Sequence, residues 1–221
     1  MYHIDDEIQK ALQRKVPLKS GGYLVFDQTE AMSTIDVNKG GFVGHRNLDE
    51  TIYKTNLEAA KSIARQLRLR NLGGIIIIDF IDMFNEHHKE HVLRTLENEL
   101  SRDPIKTNIS EISSLGLVQM TRKRTRESLE QVLSEVCPTC DGRGHIKTAE
   151  TICYEIYREV LRTSKNFQSN NLLVLASQEV IDKFLDEQSA LVGQLQDVSG
   201  KDIKFQVETL YSQEQYDVII L

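Results

Sequence analysis

The sequence predicts an α/β fold followed by a smaller α+β unit, and three observations carry that prediction. "STIDVN" (33–38), "TNLEAAKSIARQLRLR" (55–70) and "IIIIDF" (75–80) show alternating, helical and continuous apolar patterning in turn, the order of a strand, helix, strand layer. The knuckle "CPTCDGRG" (137–144) gathers turn-forming residues where this patterning stops. A second series of helices and strands starts near Thr148.

The elements follow in order. Residues 5–15 place Ile8 and Leu12 at helical spacing, and "LKSGG" closes that short helix. "YLVFDQ" (23–28) and "STIDVN" flank the short connection "TEAM", which predicts an antiparallel hairpin. In the second of these strands a period of two puts Thr34, Asp36 and Asn38 on one face and Ile35 and Val37 on the other. A glycine-rich loop, "KGGFVGHRNLDE", leads to the helix 55–70, whose stripe is Leu57, Ala60, Ala64 and Leu67. "NLGG" ends that helix, and Ile75 to Phe80 is apolar on both faces, the pattern of a buried central strand. "EHHKEHVLRTLENELSRD" is a second amphipathic helix, stopped by Asp103-Pro104. "TNISEIS" and "LGLVQMT" are two further strands, and a polar helical stretch follows Arg126. Beyond the knuckle come a helix ("AETICYEIYREVLRTS"), a strand ("NLLVLAS"), a helix ("QEVIDKFLDEQ") and the late strands "KDIKFQVE" and "YDVII".

Composition sets the class. The chain has 221 residues, 40% hydrophobic and 27% charged, with a net charge of −6, so it does not hold nucleic acid by global positive charge. Its longest apolar runs fall short of the ~20 residues of a membrane span, and with no leader pattern a cytoplasmic protein is expected. Of three cysteines, two form a C-x-x-C pair and one is left over, a poor disulfide framework that suits a reducing compartment.

Two constellations could carry chemistry. Asp79 closes the isoleucine strand at the edge where α/β sheets gather ligands, and Asp36 lies near the end of another strand. Two such carboxylates converging with an amide make a natural Mg²⁺ site, although strand-end capping explains the same residues equally well. An offset of three sends Asp79 and Asp82 to opposite faces, so only one of them can join Asp36. Cys137 and Cys140 can bite one Zn²⁺, completed by His145 and a distant group or by a second subunit's pair; a redox dithiol is the other reading. Cys153 reads as a small core residue. The basic islands at 65–70 and at Arg122, Lys123, Arg124 and Arg126 could hold RNA or DNA phosphates, or be solvated surface. Asp27, Glu30, His87, His88 and His91 are expected to have no catalytic or metal role.

"SGGYLVFDQTEAMSTIDVNKG", "TNLEAAKSIARQLRLRNLGGIIIIDFIDM", "GLVQMTRKRTRESLE" and "CPTCDGRG" together resemble the C-terminal half of the ribonuclease E/G family. The resemblance covers nearly the whole chain. It implies a Mg²⁺-dependent, single-strand-specific endoribonuclease of ribosomal RNA maturation and mRNA decay that leaves 5′-phosphate and 3′-hydroxyl ends. The family's metal ligands map onto Asp36 and Asp79, its orienting amide onto Asn38, and its zinc link, shared by two protomers, onto Cys137 and Cys140. The implied layout is a remnant of an RNase H-like subdomain over 1–20, a DNase I-like catalytic subdomain over 21–132, the zinc link over 133–147 and a small dimerisation domain over 148–221. On this reading the chain lacks the family's N-terminal S1-type RNA-binding domain and 5′-end sensor. The competing reading is a non-catalytic, zinc-linked oligomerisation module.

Overall fold

The computed structural model describes residues 4–41, 48–113, 115–166 and 171–221. The chain divides into two compact units, Met1–Glu135 and Val136–Leu221.

The first unit is built on a six-stranded mixed sheet in the order β1-β2-β3-β4-β6-β5. Its strands are β1 (Lys15–Pro17), β2 (Tyr23–Gln28), β3 (Met32–Asn38), β4 (Gly74–Asp79), β5 (Thr107–Ile112) and β6 (Leu117–Arg122). The predicted hairpin is present as β2 and β3, paired antiparallel with Phe26 opposite Ile35. β3 and β4 run parallel, as a crossover through a helix requires. That helix, α2 (Leu48–Leu69), starts earlier than its apolar stripe suggested, because Ile52 continues the buried face upstream. Residues 42–47 of the glycine-rich loop lie outside the described residues.

α2 and α3 (Glu86–Leu100) cover one face of the sheet. Ala59, Ala60 and Ala64 give α2 a flat face, so that Ile63 and Leu67 reach Ile35, Ile76 and Ile78 in one continuous core with Val92, Leu96, Val118 and Met120. Asn85 starts α3 by accepting a hydrogen bond from the His87 amide. The expectation that β4 is buried on both faces is corrected here. Ile76 and Ile78 are inaccessible, whereas Ile75 is 47% exposed on the opposite face, in line with Ile77 and Asp79. One face of the sheet is packed, and the other presents the odd-numbered residues of β4.

Residues 4–20 are continuous with this unit. α1 (Ile4–Leu12) buries Ala11, Glu7 pairs with Arg65 at 2.5 Å, and β1 is the edge strand beside β2. α4 (Leu129–Leu133) opens with a capping box in which Ser128 and Gln131 satisfy each other's backbone donors.

In the second unit β8 (Asp202–Val207) and β9 (Tyr216–Ile220) flank β7 (Asn171–Ala176), parallel and antiparallel to it respectively. α5 (Ala149–Asn166) supplies Ile152, Cys153, Ile156 and Val160 to a core shared with Leu172, Val174 and Phe184. α6 (Gln178–Asp182) runs into a π-helical turn, Lys183–Glu187, and is followed by α7 (Ser189–Ser199), a helix the sequence reading passed over. The Cys-x-x-Cys segment belongs to this unit.

Candidate active site

The parallel register of β3 and β4 sets Asp36 directly beside Asp79. Adjacent strands are ~4.8 Å apart and paired residues point to the same face, so the two carboxylates stand side by side at the C-terminal edge of the sheet. Both are exposed on the open face. Asn38, two residues further along the same face, donates its amide N–H to Oδ2 of Asp36 in a short hydrogen bond. All three residues expected from the sequence therefore meet.

The backbone around them is tightly fitted. A Cβ on Gly22 would lie 2.5 Å from the Asn38 carbonyl oxygen, and one on Gly40 would lie 2.4 Å from that of Gly21. The turn "SGG" and the loop "KGG" thus press together where only glycine fits, at the end of β3. Glu58 of α2 holds the first turn by accepting the amides of Lys19 and Ser20 at 2.6 and 2.8 Å.

Burial, together with the negative fields of Asp36 and Asp82, raises the Asp79 carboxyl above its ordinary proton affinity. Asp82 lies beyond the end of β4, with Oδ1 near Gly116 of the β5–β6 turn. Among the described residues no three His, Cys, Asp or Glu side chains converge on a metal-binding position. His88 stacks on Tyr53 with ring centroids 4.0 Å apart, and His91 is hydrogen-bonded to the Tyr53 hydroxyl.

The basic residues divide. Arg122 is corrected from a candidate phosphate contact to a core group: its side chain is 2% exposed, its Nε and Nη2 reach the Asp103 carboxylate at 2.8 and 3.3 Å, and Nη1 donates to the Leu72 carbonyl at 2.7 Å. It points to the packed face because strand alternation puts it opposite Gly74 in step with Met120 and Val118. Lys123, Arg124 and Arg126 are exposed, but they follow the Gly74 end of the sheet. Five strand steps of ~3.3 Å separate that end from Asp79, about 17 Å. The first basic island is consumed internally: Arg65 pairs with Glu7, Arg68 donates to the Glu99 carbonyl, and Arg70 stacks over Phe26 while bonding Gln66 and the Gln13 carbonyl.

The ribonuclease E/G family matches residues 1–125, a stretch that contains both aspartates, Asn38 and the whole sheet. The chain belongs to the ribonuclease E/G family. The family's thioredoxin-like domain matches residues 136–220, which corresponds to the second unit. Over all 221 residues the chain is 59% identical to ribonuclease G of Salmonella typhimurium (strain SL1344) and 58% identical to ribonuclease G of Escherichia coli (strain K12). It is 37% identical over 195 residues, 88% of its length, to ribonuclease E of Escherichia coli (strain K12), of which that match covers 18%. The chain spans about half the length of the ribonuclease G relatives, 45% of each.

In this ribonuclease E/G chain the cysteine knuckle is well anchored. Arg143 binds the Glu214 carboxylate through two nitrogens, the Lys147 amide donates to Glu214 at 2.7 Å, and Gln213 donates to the Lys147 carbonyl at 2.7 Å. Backbone donors of Cys140 and Thr139, and the Cys140 side chain, favour the Cys137 thiolate. Cys153 is buried, and burial pushes its thiol up to about 11, as suits the core role expected of it. The sequence reading missed Phe84 and Leu115, 89% and 78% exposed in the loops after β4 and before β6. Isolated apolar residues in loops carry no periodicity, so no pattern flagged them.

Proposed function

We propose that this chain supplies the catalytic part of a divalent-metal-dependent endoribonuclease acting on single-stranded RNA, including ribosomal precursors and mRNA. The observation that carries the reading is the Asp36–Asp79 register pair with Asn38 bonded to it. The donor set suits Mg²⁺, which takes one or two carboxylates and keeps several waters, and the negative field of Asp36 and Asp82 on Asp79 is what a cation would neutralise. A bound Mg²⁺ would supply an activated water and offset charge on the phosphoryl oxygens. The protein's part is to hold the cation on Asp36 and Asp79. Asn38 orients Asp36 by donating to Oδ2. Products with 5′-phosphate and 3′-hydroxyl ends are expected of that attack.

Lys123, Arg124 and Arg126 are distal phosphate contacts in this reading, binding the strand away from the point of cleavage. Phe84 offers an aromatic face at the carboxylate edge on which a base could stack. Cys137 and Cys140 would give two thiolates to a Zn²⁺ completed by a second copy of the chain, because four ligands close a structural site and this chain brings two. In this reading residues 1–20 are a remnant of the family's RNase H-like subdomain, 21–132 its DNase I-like subdomain, 133–147 the zinc link and 148–221 the dimerisation domain.

The test is cleavage of a 5′-monophosphorylated single-stranded RNA by the full-length protein in Mg²⁺. Asp36→Asn and Asp79→Asn should each abolish cleavage while zinc content and oligomeric state are kept. Cleavage at the parental rate by either variant would refute the assignment.

A further inference from the structure

β4 ends at Asp79, and the next three residues carry Asp82 with no strand beside them. Their backbone is held instead by a side chain of α2. Asn56 is completely buried; its Nδ2 donates to the Ile81 carbonyl at 2.7 Å, and its Oδ1 accepts from the Ile81 amide at 3.1 Å. A primary amide can both donate and accept, as a peptide group does, so Asn56 stands in for a neighbouring strand two residues past the last register pair. The flanking Phe80 is buried and Ile81 packs on the core.

We infer that Asn56 is a positioning residue for the carboxylate edge: by clamping Ile81 from both sides it fixes where Asp79 and Asp82 stand relative to Asp36. The need for a clamp follows from the charges. Asp36 and Asp79 stand side by side as like charges on one face, an arrangement that is destabilising unless the backbone holds it. A core made only for packing would accept leucine at position 56, but leucine would leave both polar groups of Ile81 without partners. The inference rests on the cation site of the proposed function, since a positioned carboxylate pair matters only if something binds between its members.

The experiment uses the full-length protein and two readouts. Mn²⁺ binding is titrated directly without RNA, and the Mg²⁺ dependence of RNA cleavage is measured alongside. Asn56→Ala should weaken Mn²⁺ binding and lower kcat by about 10- to 100-fold, the range for residues that orient metal ligands, with KM for RNA unchanged. Leu100→Ala opens a cavity in the same core at the far edge of the sheet and should leave both readouts at parental values when compared at equal fraction folded. Asn56→Leu covers the case in which the alanine variant does not fold. It keeps the volume and adds no buried charge, but takes from Ile81 both of the hydrogen bonds that Asn56 makes. A loss of Mn²⁺ affinity at equal fraction folded therefore reports the lost clamp. Parental Mn²⁺ affinity in Asn56→Leu, or matching behaviour of Asn56→Ala and Leu100→Ala, overturns the inference. Asp79→Asn run in parallel separates the two readings. If it retains cleavage, the metal site itself is wrong and both readings fall. If it abolishes cleavage while the Asn56 variants behave as the parent, only the positioning role fails.

Discussion

Breaking the Arg122–Asp103 pair decides between a structural and an RNA-binding role for the most buried arginine of the basic island. Both side chains are almost inaccessible, 2% and 1% exposed. Asp103→Ala strands a guanidinium in the core with only the Leu72 carbonyl as hydrogen-bond partner among the described residues. Removing one member of a buried pair costs about 3–5 kcal/mol, because the remaining charge stays desolvated. For a unit of this size the melting midpoint should fall by about 10–20 °C. Replacing both residues by apolar ones, Asp103→Leu with Arg122→Met, should recover most of that loss, since neither charge is then buried. Acid should mimic the single substitution. Burial raises the Asp103 carboxyl, but the Arg122 hydrogen bonds, the Ile105 amide and the fields of Arg122 and Arg68 outweigh it and hold the group below the ordinary carboxylate range. A depressed carboxylate stabilises fully above its unfolded pKa, and the contribution disappears as pH falls through the lower, folded value. Thermal melts followed by circular dichroism, at neutral pH and through the acid range, measure both effects. If Arg122→Leu melted with the parent and weakened RNA binding instead, the structural assignment would be refuted.

Three further outcomes are expected. Asp79→Asn should stabilise the fold at neutral pH without divalent cations, by less than about 1 kcal/mol because the group is exposed, and so raise the melting midpoint slightly. The sign follows from a raised pKa: the folded state binds the proton more tightly, so ionised Asp79 destabilises above its folded value, and parent and variant should converge as pH falls through it. A variant melting below the parent at neutral pH would contradict this. Replacing Lys123, Arg124 and Arg126 by alanine should reduce the slope of log affinity against log salt for single-stranded RNA by about 2, from three contacts at ~0.7 each; an unchanged slope would place RNA elsewhere. In mass spectrometry after alkylation of the folded protein, Cys153 should stay unmodified, and Cys137 and Cys140 should react once metal is chelated.

The strands and helices of the first unit were legible because their periods are strong. "STIDVN" alternates, "TNLEAAKSIARQL" keeps a helical stripe, and both fall where expected. The elements missed are those with weak signals. β1 is three residues long, and the stripe of α7 is broken by Gly193 and polar residues. The isoleucine strand misled for a different reason. A continuous apolar run says nothing about whether a layer covers each face, and here one face carries Ile75 into the open.

By itself the sequence determined which residues could act: Asp36 and Asn38 on one face of a strand, Asp79 at the end of another, and two cysteines at metal-binding spacing. Tertiary structure alone decided which of them meet. The parallel register of β3 with β4 joins residues 43 positions apart, a relation that local patterning does not encode. The pleat turned Arg122 into the core while leaving Lys123, Arg124 and Arg126 in solvent after the end of β6 opposite the carboxylate edge. The buried amide of Asn56, which no sequence pattern singled out, bonds the backbone of Ile81 just past Asp79. Periodicity fixes the face on which a side chain emerges, whereas pairing and burial fix its neighbours, and the chemistry of this edge depends on the neighbours.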